Sequence, residues 1–395
     1  MTTASHFGPM LAVDELAVAR LVSIAFGGTP AGASDYLRTT GREHLRVLRQ
    51  GGSPAACLAT IPMGQYFGGR SIPMTGIAAV AVAPEARGSG LALHLMRAAL
   101  RELRDAGVHL SGLYASTQTL YRQVGFEQAG HCFRIRLPLA RLGIRDRSML
   151  LRRAEDADEP AIRACYADMA SRFDGPLDRG PYVWNRLRAW RDITYEGWLV
   201  SHAPSGPIEG YVFLAQTRKD SGKHDLTLSD LAFTTPRAGR RLLGFLADFA
   251  TMGDDAVIQQ AGPVHPILTL LPTQTFTVER REYSMTRVLR PLDALQARGY
   301  PAAARATASF ILDDPTLPDN SGPYTITIDS GRAAVTRDAA GSPITLTPNA
   351  LAALFTGFYS ARQAELAGLI AGSADDIAAL NAVFPGSCPW MADFF

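Results

Sequence analysis

The fold turns on the stretch Val80-Ala81-Val82-Ala83-Pro84-Glu85-Ala86-Arg87-Gly88-Ser89-Gly90-Leu91-Ala92-Leu93. It continues a short apolar run that starts at Gly76, which reads as a buried strand stopped by Pro84. Beyond Gly90 the period changes. Leu93, Met96, Leu100 and Leu103 fall on one apolar face of a helix, and Gly107 suits the residue after its end. The first-turn N–H groups of such a helix lack internal partners and point into the glycine turn, with the positive end of the dipole behind them. A pyrophosphate fits that setting. Gly88 and Gly90 allow positive φ and close approach of the backbone, Ala92 keeps the first turn clear, and Arg87 offers a charge-assisted contact. The competing reading is a plain strand–turn–helix joint punctuated by two glycines. A Walker A loop is excluded because no Gly-Lys-[Ser/Thr] follows. A dinucleotide fingerprint is excluded because there is no GxGxxG.

Working outward, Asp14 is placed to cap a helix whose apolar face is Ala17, Leu21 and Ile24. Strands are expected near residues 44–48 and 55–63. Downstream come a buried strand at 110–114, a short helix at 117–123 and a turn at Val124-Gly125-Phe126. Next is a half-buried strand in which Phe133, Ile135 and Leu137 alternate with Arg134 and Arg136. Residues 1–147 thus form one α/β domain. In 148–290, the run from Asp230 to Leu246 is a faded copy of the first motif. Pro236 and Arg237 echo Pro84 and Arg87, and Leu242, Leu243 and Leu246 continue a helix. Ala238-Gly239-Arg240 stands where Gly88-Ser89-Gly90 stood, and the bulk of Arg240 and Arg241 predicts no cofactor there. In 291–395, Tyr324, Ile326 and Ile328 alternate with threonines before a Ser330-Gly331 turn, giving a hairpin. Helices follow near 349–359 and 374–384, the second opened by Ser373 with Asp376 as a capping box. The fold class expected is α/β (α+β).

With 395 residues, two or three domains are expected, and 47% hydrophobic against 19% charged residues indicates a folded chain. A net charge of +2 gives no global case for a nucleic-acid or membrane partner. Cys57, Cys132, Cys165 and Cys388 are far apart, with no metal-ligand spacing, so neither a disulfide framework nor a metal site is expected. The N-terminal stretch MTTASHFGPMLAVDEL has no basic region followed by a long apolar one, and no run approaches a membrane span. A cytoplasmic protein is the expectation.

Arg87-x-x-Gly90-x-Ala92, preceded by Val-x-Val-x-Pro, resembles the acetyl-CoA motif of the GNAT acetyltransferase superfamily. Leu113-Tyr114-Ala115-Ser116 and Leu120-Tyr121-Arg122-Gln123-Val124-Gly125-Phe126 are similar to the corresponding stretch of the Eis (enhanced intracellular survival) acetyltransferases. The length, the faded second repeat, the final domain and the terminal phenylalanine agree with that family. The resemblance implies tandem GNAT-like domains, the second non-catalytic, followed by a sterol-carrier-protein-like domain. It also implies a homohexamer (trimer of dimers) that acetylates amines, aminoglycosides among them. It implies that Val80, Ala81, Val82, the turn Arg87, Gly88, Ser89, Gly90, Leu91, Ala92 and Leu93, and Ser116 with Thr117 line the acetyl-CoA site. It further implies that Tyr121 is the general acid and the carboxylate of Phe395 the general base.

Physical chemistry fits those roles. An amine with a pKa of about 10 is mostly protonated at neutral pH, so acetyl transfer requires a proton acceptor. Backbone N–H groups of the 80–82 strand, where it splays at Pro84, can meet the oxyanion. A tyrosine O–H beside the sulfur can protonate the leaving thiolate. Pro389-Trp390-Met391 and Phe394-Phe395 are too apolar for a solvated tail, so the carboxylate of Phe395 is expected to be carried inward and to become more basic. Asp393 is an alternative base, or an attractor for a cationic amine. Phe26 and Tyr36 match aromatic positions of the family's substrate channel. Gly28 and Phe394 stand where its aminoglycoside-acetylating members carry acids. A less charged amine acceptor, whether a small molecule or a peptide lysine, is therefore an alternative to aminoglycosides. A non-catalytic small-molecule or lipid-binding protein is the remaining alternative.

Overall fold

The computed structural model describes residues 5–338 and 344–395. The first four residues of the N-terminal stretch examined for a leader lie outside that range.

The first domain is built on β1 (Ser5–Pro9), β2 (Leu45–Gln50), β3 (Ser53–Phe67) and β4 (Arg70–Val82), antiparallel in that order. β5 (Leu110–Tyr114) adds to β4 in parallel, through the crossover helix α3 (Leu91–Asp105). Between β1 and β2 lie α1 (Glu15–Phe26) and α2 (Pro30–Thr40). Period-two alternation divides the sheet's side chains. Ala56, Leu58 and Ile77 pack with Leu91, Leu95, Met96 and Ala99 of α3. Cys57, Ala59 and Ala81 pack with Val18, Leu21 and Val22 of α1 and Leu37 of α2. Each fully buried leucine here contributes about 2 kcal/mol of transfer free energy.

Several local expectations are revised. The buried face of α1 is Val18, Leu21 and Val22, whereas Ala17 and Ile24 are exposed. Asp14 does not cap α1 with its side chain. Its carboxylate accepts the Leu11 N–H at 2.8 Å and pairs with Arg49. On α3, Met96, Leu100 and Leu103 are buried as expected, but Leu93 is only half-buried and Leu91 and Leu95 complete the face.

The chain forms two compact units. One holds Met1–Gly130, Tyr283–Cys388 and Phe395; the other holds His131–Glu282 and Pro389–Phe394. Each borrows a closing strand from the other's stretch of sequence. In the first, Ser284–Val288 pairs antiparallel with β5 along its whole length. In the second, residues 133–138 of β6 (Glu127–Pro138) pair antiparallel with Gly253–Ala261. That strand is parallel to His224–Phe233, which pairs onward with Ile208–Arg218. The helix Pro236–Ala247 covers this second sheet with Leu242, Leu243 and Leu246, all fully buried.

The last stretch forms a sheet of Arg332–Thr336, Gly322–Asp329, Ala306–Leu312 and Ile344–Leu346. Tyr324, Ile326 and Ile328 face inward, and Ser330 and Gly331 take the positive φ values that the hairpin turn requires. The helices are Pro348–Thr356, Ala361–Leu366, which the sequence pattern did not reveal, and Ala374–Val383. Its interior is filled by stacked Phe310 and Tyr324, with centroids 5.2 Å apart, and by fully buried Phe355 and Phe384. Among the described residues no single helix is long and apolar enough to cross a membrane.

Candidate active site

β4 and β5 stay in register only from Met74/Leu110 to Gly76/Gly112 and then part. The opening is thus a notch beginning at Gly76, not a splay at Pro84. On its other edge β4 bulges, with two residues, Ala79 and Val80, opposite the single Leu58 of β3. Ala79 takes φ 50°, a left-handed conformation that costs an alanine about 1 kcal/mol. The bulge breaks the ladder at the half-buried Val80, on the wall of the notch.

Beyond β4, Pro84–Ala86 form one 3₁₀ turn, and Gly88 (φ 78°) and Gly90 (φ 83°) both lie in the left-handed region. A Cβ on either glycine would meet nothing within 4 Å, so the turn faces open space. The hydroxyl of Ser89 donates to the Ala86 carbonyl at 2.6 Å, bracing the loop. No side chain caps α3, and its first backbone bond to the turn is His94 N–H to the Gly90 carbonyl at 3.1 Å. The amides of Leu91, Ala92 and Leu93 are therefore left to the turn. A pyrophosphate group fits this cradle. The second domain's helix differs: Thr235 caps it by accepting the Ala238 N–H, and a Cβ on Gly239 would lie 2.4 Å from Leu270. Pro236 has no N–H to offer, that of Ala238 is taken by the cap, and the turn is packed.

Past β5, exposed Ser116 and Thr117 lead into the short helix α4 (Gln118–Arg122). Tyr121 on α4 is buried, its ring 6.1 Å from that of Phe126 in an edge contact. Burial pushes its phenol up to about 12. Arg122 holds Glu127 with its Nη2 at 2.6 Å from Oε1, and Asn349 donates to the Arg122 and Phe126 carbonyls at 3.1 and 2.8 Å. Arg287, fully buried and paired with Asp314, donates its Nε–H to the Val124 carbonyl at 3.1 Å. The supports from Asn349 and Arg287 escaped sequence reasoning, because those residues lie more than 150 positions away.

Phe395 is buried at the point where the strands part. Its Cε2 lies 2.5 Å from where a Cβ on Gly76 would be, and its ring is 5.9 Å from that of Tyr114. The inward tail expected from its composition is thus realised. Phe26, the last residue of α1, is 59% exposed, and Tyr36 on α2 is half-buried. Asp393, the alternative base or amine attractor, is held in a buried ion pair. In the second unit it is 1% exposed and bonded to Arg179, with Oδ1 2.9 Å from Nη2 and Oδ2 3.0 Å from Nε. Phe394 lies 5.0 Å beneath the guanidinium of Arg186.

A splayed parallel strand pair, a bulged β4 and an uncapped helix behind an Arg-x-Gly-x-Gly loop describe one class of enzyme. Models of the acetyltransferase (GNAT) domain match residues 10–129 and 175–290, and a sterol carrier protein domain matches 292–392. The chain is an N-acetyltransferase of the GNAT class, and GNAT acetyltransferases use acetyl-CoA. An N-acetyltransferase of Streptomyces coelicolor without assigned function is 26% identical over 362 residues, 84% of this chain and 85% of that one. The N-acetyltransferase Eis of Mycobacterium tuberculosis is 26% identical over 334 residues, 80% of each chain. A GCN5-related N-acetyltransferase from Anabaena variabilis superimposes with a TM-score of 0.94 at 29% identity, covering 99% of this chain and 100% of its own. Eis1 from Mycobacterium abscessus shares the fold, with a TM-score of 0.80 at 20% identity and 99% and 100% coverage. Within the GNAT class the chain belongs to the Eis family.

Proposed function

We propose that this enzyme transfers the acetyl group of acetyl-CoA to a primary amine by direct attack, in the notch between β4 and β5. Arg87 and the amides of the turn from Gly88 to Leu93 hold the pyrophosphate. Val80, Ala81 and Val82 align the pantetheine arm and present backbone N–H groups to the thioester oxygen, with Ser116 and Thr117 on the opposite lip. Acetyl-CoA supplies an activated acyl group as a thioester. The chain supplies position, a proton acceptor for the amine and a hydrogen-bond donor for the leaving thiolate.

The carboxylate of Phe395 takes the proton of the attacking amine, directly or through one water. The new C–N bond forms as the C–S bond breaks. Tyr121 donates its O–H to the departing sulfur. With the phenol near 12 and an ordinary thiol near 8.5, complete transfer is uphill, so Tyr121 acts chiefly by hydrogen bonding to the developing thiolate. The observation that carries this reading is the placement of Phe395 against Gly76 and Tyr114, where the strands part.

In this reading Phe26 and Tyr36, the aromatic positions that match the family's substrate channel, meet the acceptor. Gly28 and Phe394 carry no charge at positions where the aminoglycoside-acetylating members of the family carry acids. That favours a monoamine, a natural-product amine or a peptide lysine over polycationic aminoglycosides. Assembly as a homohexamer is proposed from the family resemblance and is read out by light scattering. A thiol-release assay with acetyl-CoA tests the function: turnover is expected to be faster on monoamine or peptide acceptors than on an aminoglycoside. No thiol release with any amine, under conditions where acetyl-CoA binds, would overturn it.

A further inference from the structure

The second GNAT domain has a notch of its own. His224–Phe233 and Gly253–Ala261 run parallel as far as Leu228/Ile258 and pair no further. The strand His224–Phe233 bulges at Ser229, as β4 does at Ala79. In this unit the opening is occupied by the chain's own tail, Pro389–Phe394. Trp390 packs on Gly262, where a Cβ would lie 2.6 Å from the indole, and against Phe173 at 5.3 Å. Gly175 (φ 100°) admits the Trp390 backbone, with 2.5 Å from a Cβ position to its carbonyl oxygen. Three backbone bonds stitch the tail down: Trp390 N–H to Asp174 O at 3.0 Å, Met391 N–H to His131 O at 3.0 Å, and His131 N–H to Pro389 O at 2.9 Å.

Below Trp390 sits a buried charge cluster. The guanidinium of Arg179 is 1% exposed and lies 3.5 Å over the ring of Tyr166. On one side it grips Asp230 at 2.6 and 3.0 Å; on the other it holds Asp393. Tyr166 donates its O–H to the Leu177 carbonyl at 2.8 Å and approaches Asp393 at 3.4 Å. Burial works against the charge of Arg179, but the two carboxylates outweigh it and hold the guanidinium firmly protonated. Removing one partner of such a cluster leaves the others desolvated and unmatched. Asp393 precedes Phe395 by two residues, so the two Cα atoms are at most about 7 Å apart.

We propose that Arg179 is a positioning residue for acetyl transfer. It fixes the tail through Asp393 and thereby sets where the Phe395 carboxylate stands. The second domain is then a degenerate acetyltransferase whose acyl notch has become a clamp for the chain's own tail. This inference rests on the reading of Phe395 as base given above.

The test uses the full chain with Asp393→Asn, Asp230→Asn and Arg179→Lys, and two readouts: the rate at which carboxypeptidase A releases Phe395, and steady-state kinetics. Asp393→Asn is expected to speed release at least tenfold and to lower kcat at least tenfold, with KM for acetyl-CoA within twofold. Asp230→Asn keeps the Arg179–Asp393 pair, so it is expected to lower Tm while leaving tail protection and kcat near wild type. Arg179→Lys keeps one charge but loses the fork, and should fall between them on both readouts. The proposal is overturned if Asp393→Asn leaves release at the wild-type rate, or if Asp230→Asn matches it on both readouts. Faster release with unchanged kcat instead refutes Phe395 as the base and leaves the clamp with a structural role only.

Discussion

Replacing Gly76 with alanine should uncouple the chemistry from cofactor binding. The new Cβ would lie 2.5 Å from Cε2 and 2.6 Å from Cδ2 of Phe395, and 2.9 Å from Cε of Met63. Ordinary carbon–carbon contact begins near 3.5 Å, so the phenyl ring must retreat by about 1 Å. Met63 can swing its methyl aside, but the Phe395 ring is wedged against Tyr114 and carries the terminal carboxylate. A misplacement of about 1 Å at a catalytic group costs on the order of 10²-fold in rate, or about 2.7 kcal/mol of barrier. The turn from Arg87 to Leu93 is untouched. The expectation is therefore a kcat about 100-fold below wild type in the thiol-release assay, with acetyl-CoA affinity by calorimetry within twofold. Overpacking also costs about 1–3 kcal/mol of stability, so Tm falls modestly. Gly112→Ala is the matched control, because Gly112 pairs with Gly76 and its Cβ would press on the flexible end of Met74 at 3.1 Å and touch the Met285 carbonyl at an ordinary 3.8 Å. It should keep near-normal kcat. Wild-type turnover by folded Gly76→Ala would refute the placement of the base at this notch.

Tyr121→Phe removes the donor to the leaving sulfur while leaving the buried ring contact with Phe126 intact. It should lower kcat about 10²-fold with acetyl-CoA affinity unchanged, measured by steady-state kinetics and calorimetry. His265 is fully buried, accepts the Ile267 N–H at its Nδ1 at 3.2 Å, and is pushed down to about 4 by burial. Its folded pKa lies below the unfolded value of 6.5, so its contribution to stability is complete above pH 6.5 and lost as pH falls towards 4. Urea titrations should show about 2 kcal/mol less stability at pH 4.5 than at pH 7 from this residue, and His265→Asn should flatten that fall.

The features legible in the sequence were those with local signals. The switch from strand to helix period around Gly90, the turn glycines, and the Pro236 echo of Pro84 each declare themselves within about twenty residues. The notch was only partly legible. Ala79 is an ordinary residue in an apolar run, and nothing in its neighbours marks a bulge. Its left-handed φ follows from pairing with β3, a non-local fact. The exchange of closing strands between the two units is invisible for the same reason, since periodicity gives a strand's faces but not its partner. Asp393 read as a candidate base because a lone acid near an apolar tail has no visible partner. The partner, Arg179, is 214 positions away. The buried face of α1 was misjudged because alanines and β-branched residues offered two apolar stripes of similar strength, and docking against β3 and β4 selected Val18, Leu21 and Val22.

The central claim is that the carboxylate of Phe395 is the base for acetyl transfer. Extending the chain by one glycine after Phe395 converts that carboxylate to an amide and leaves the rest of the notch in place. The account predicts that kcat for a monoamine acceptor falls at least 100-fold while KM for acetyl-CoA stays within twofold. An extended enzyme that turns over at the wild-type rate would contradict it.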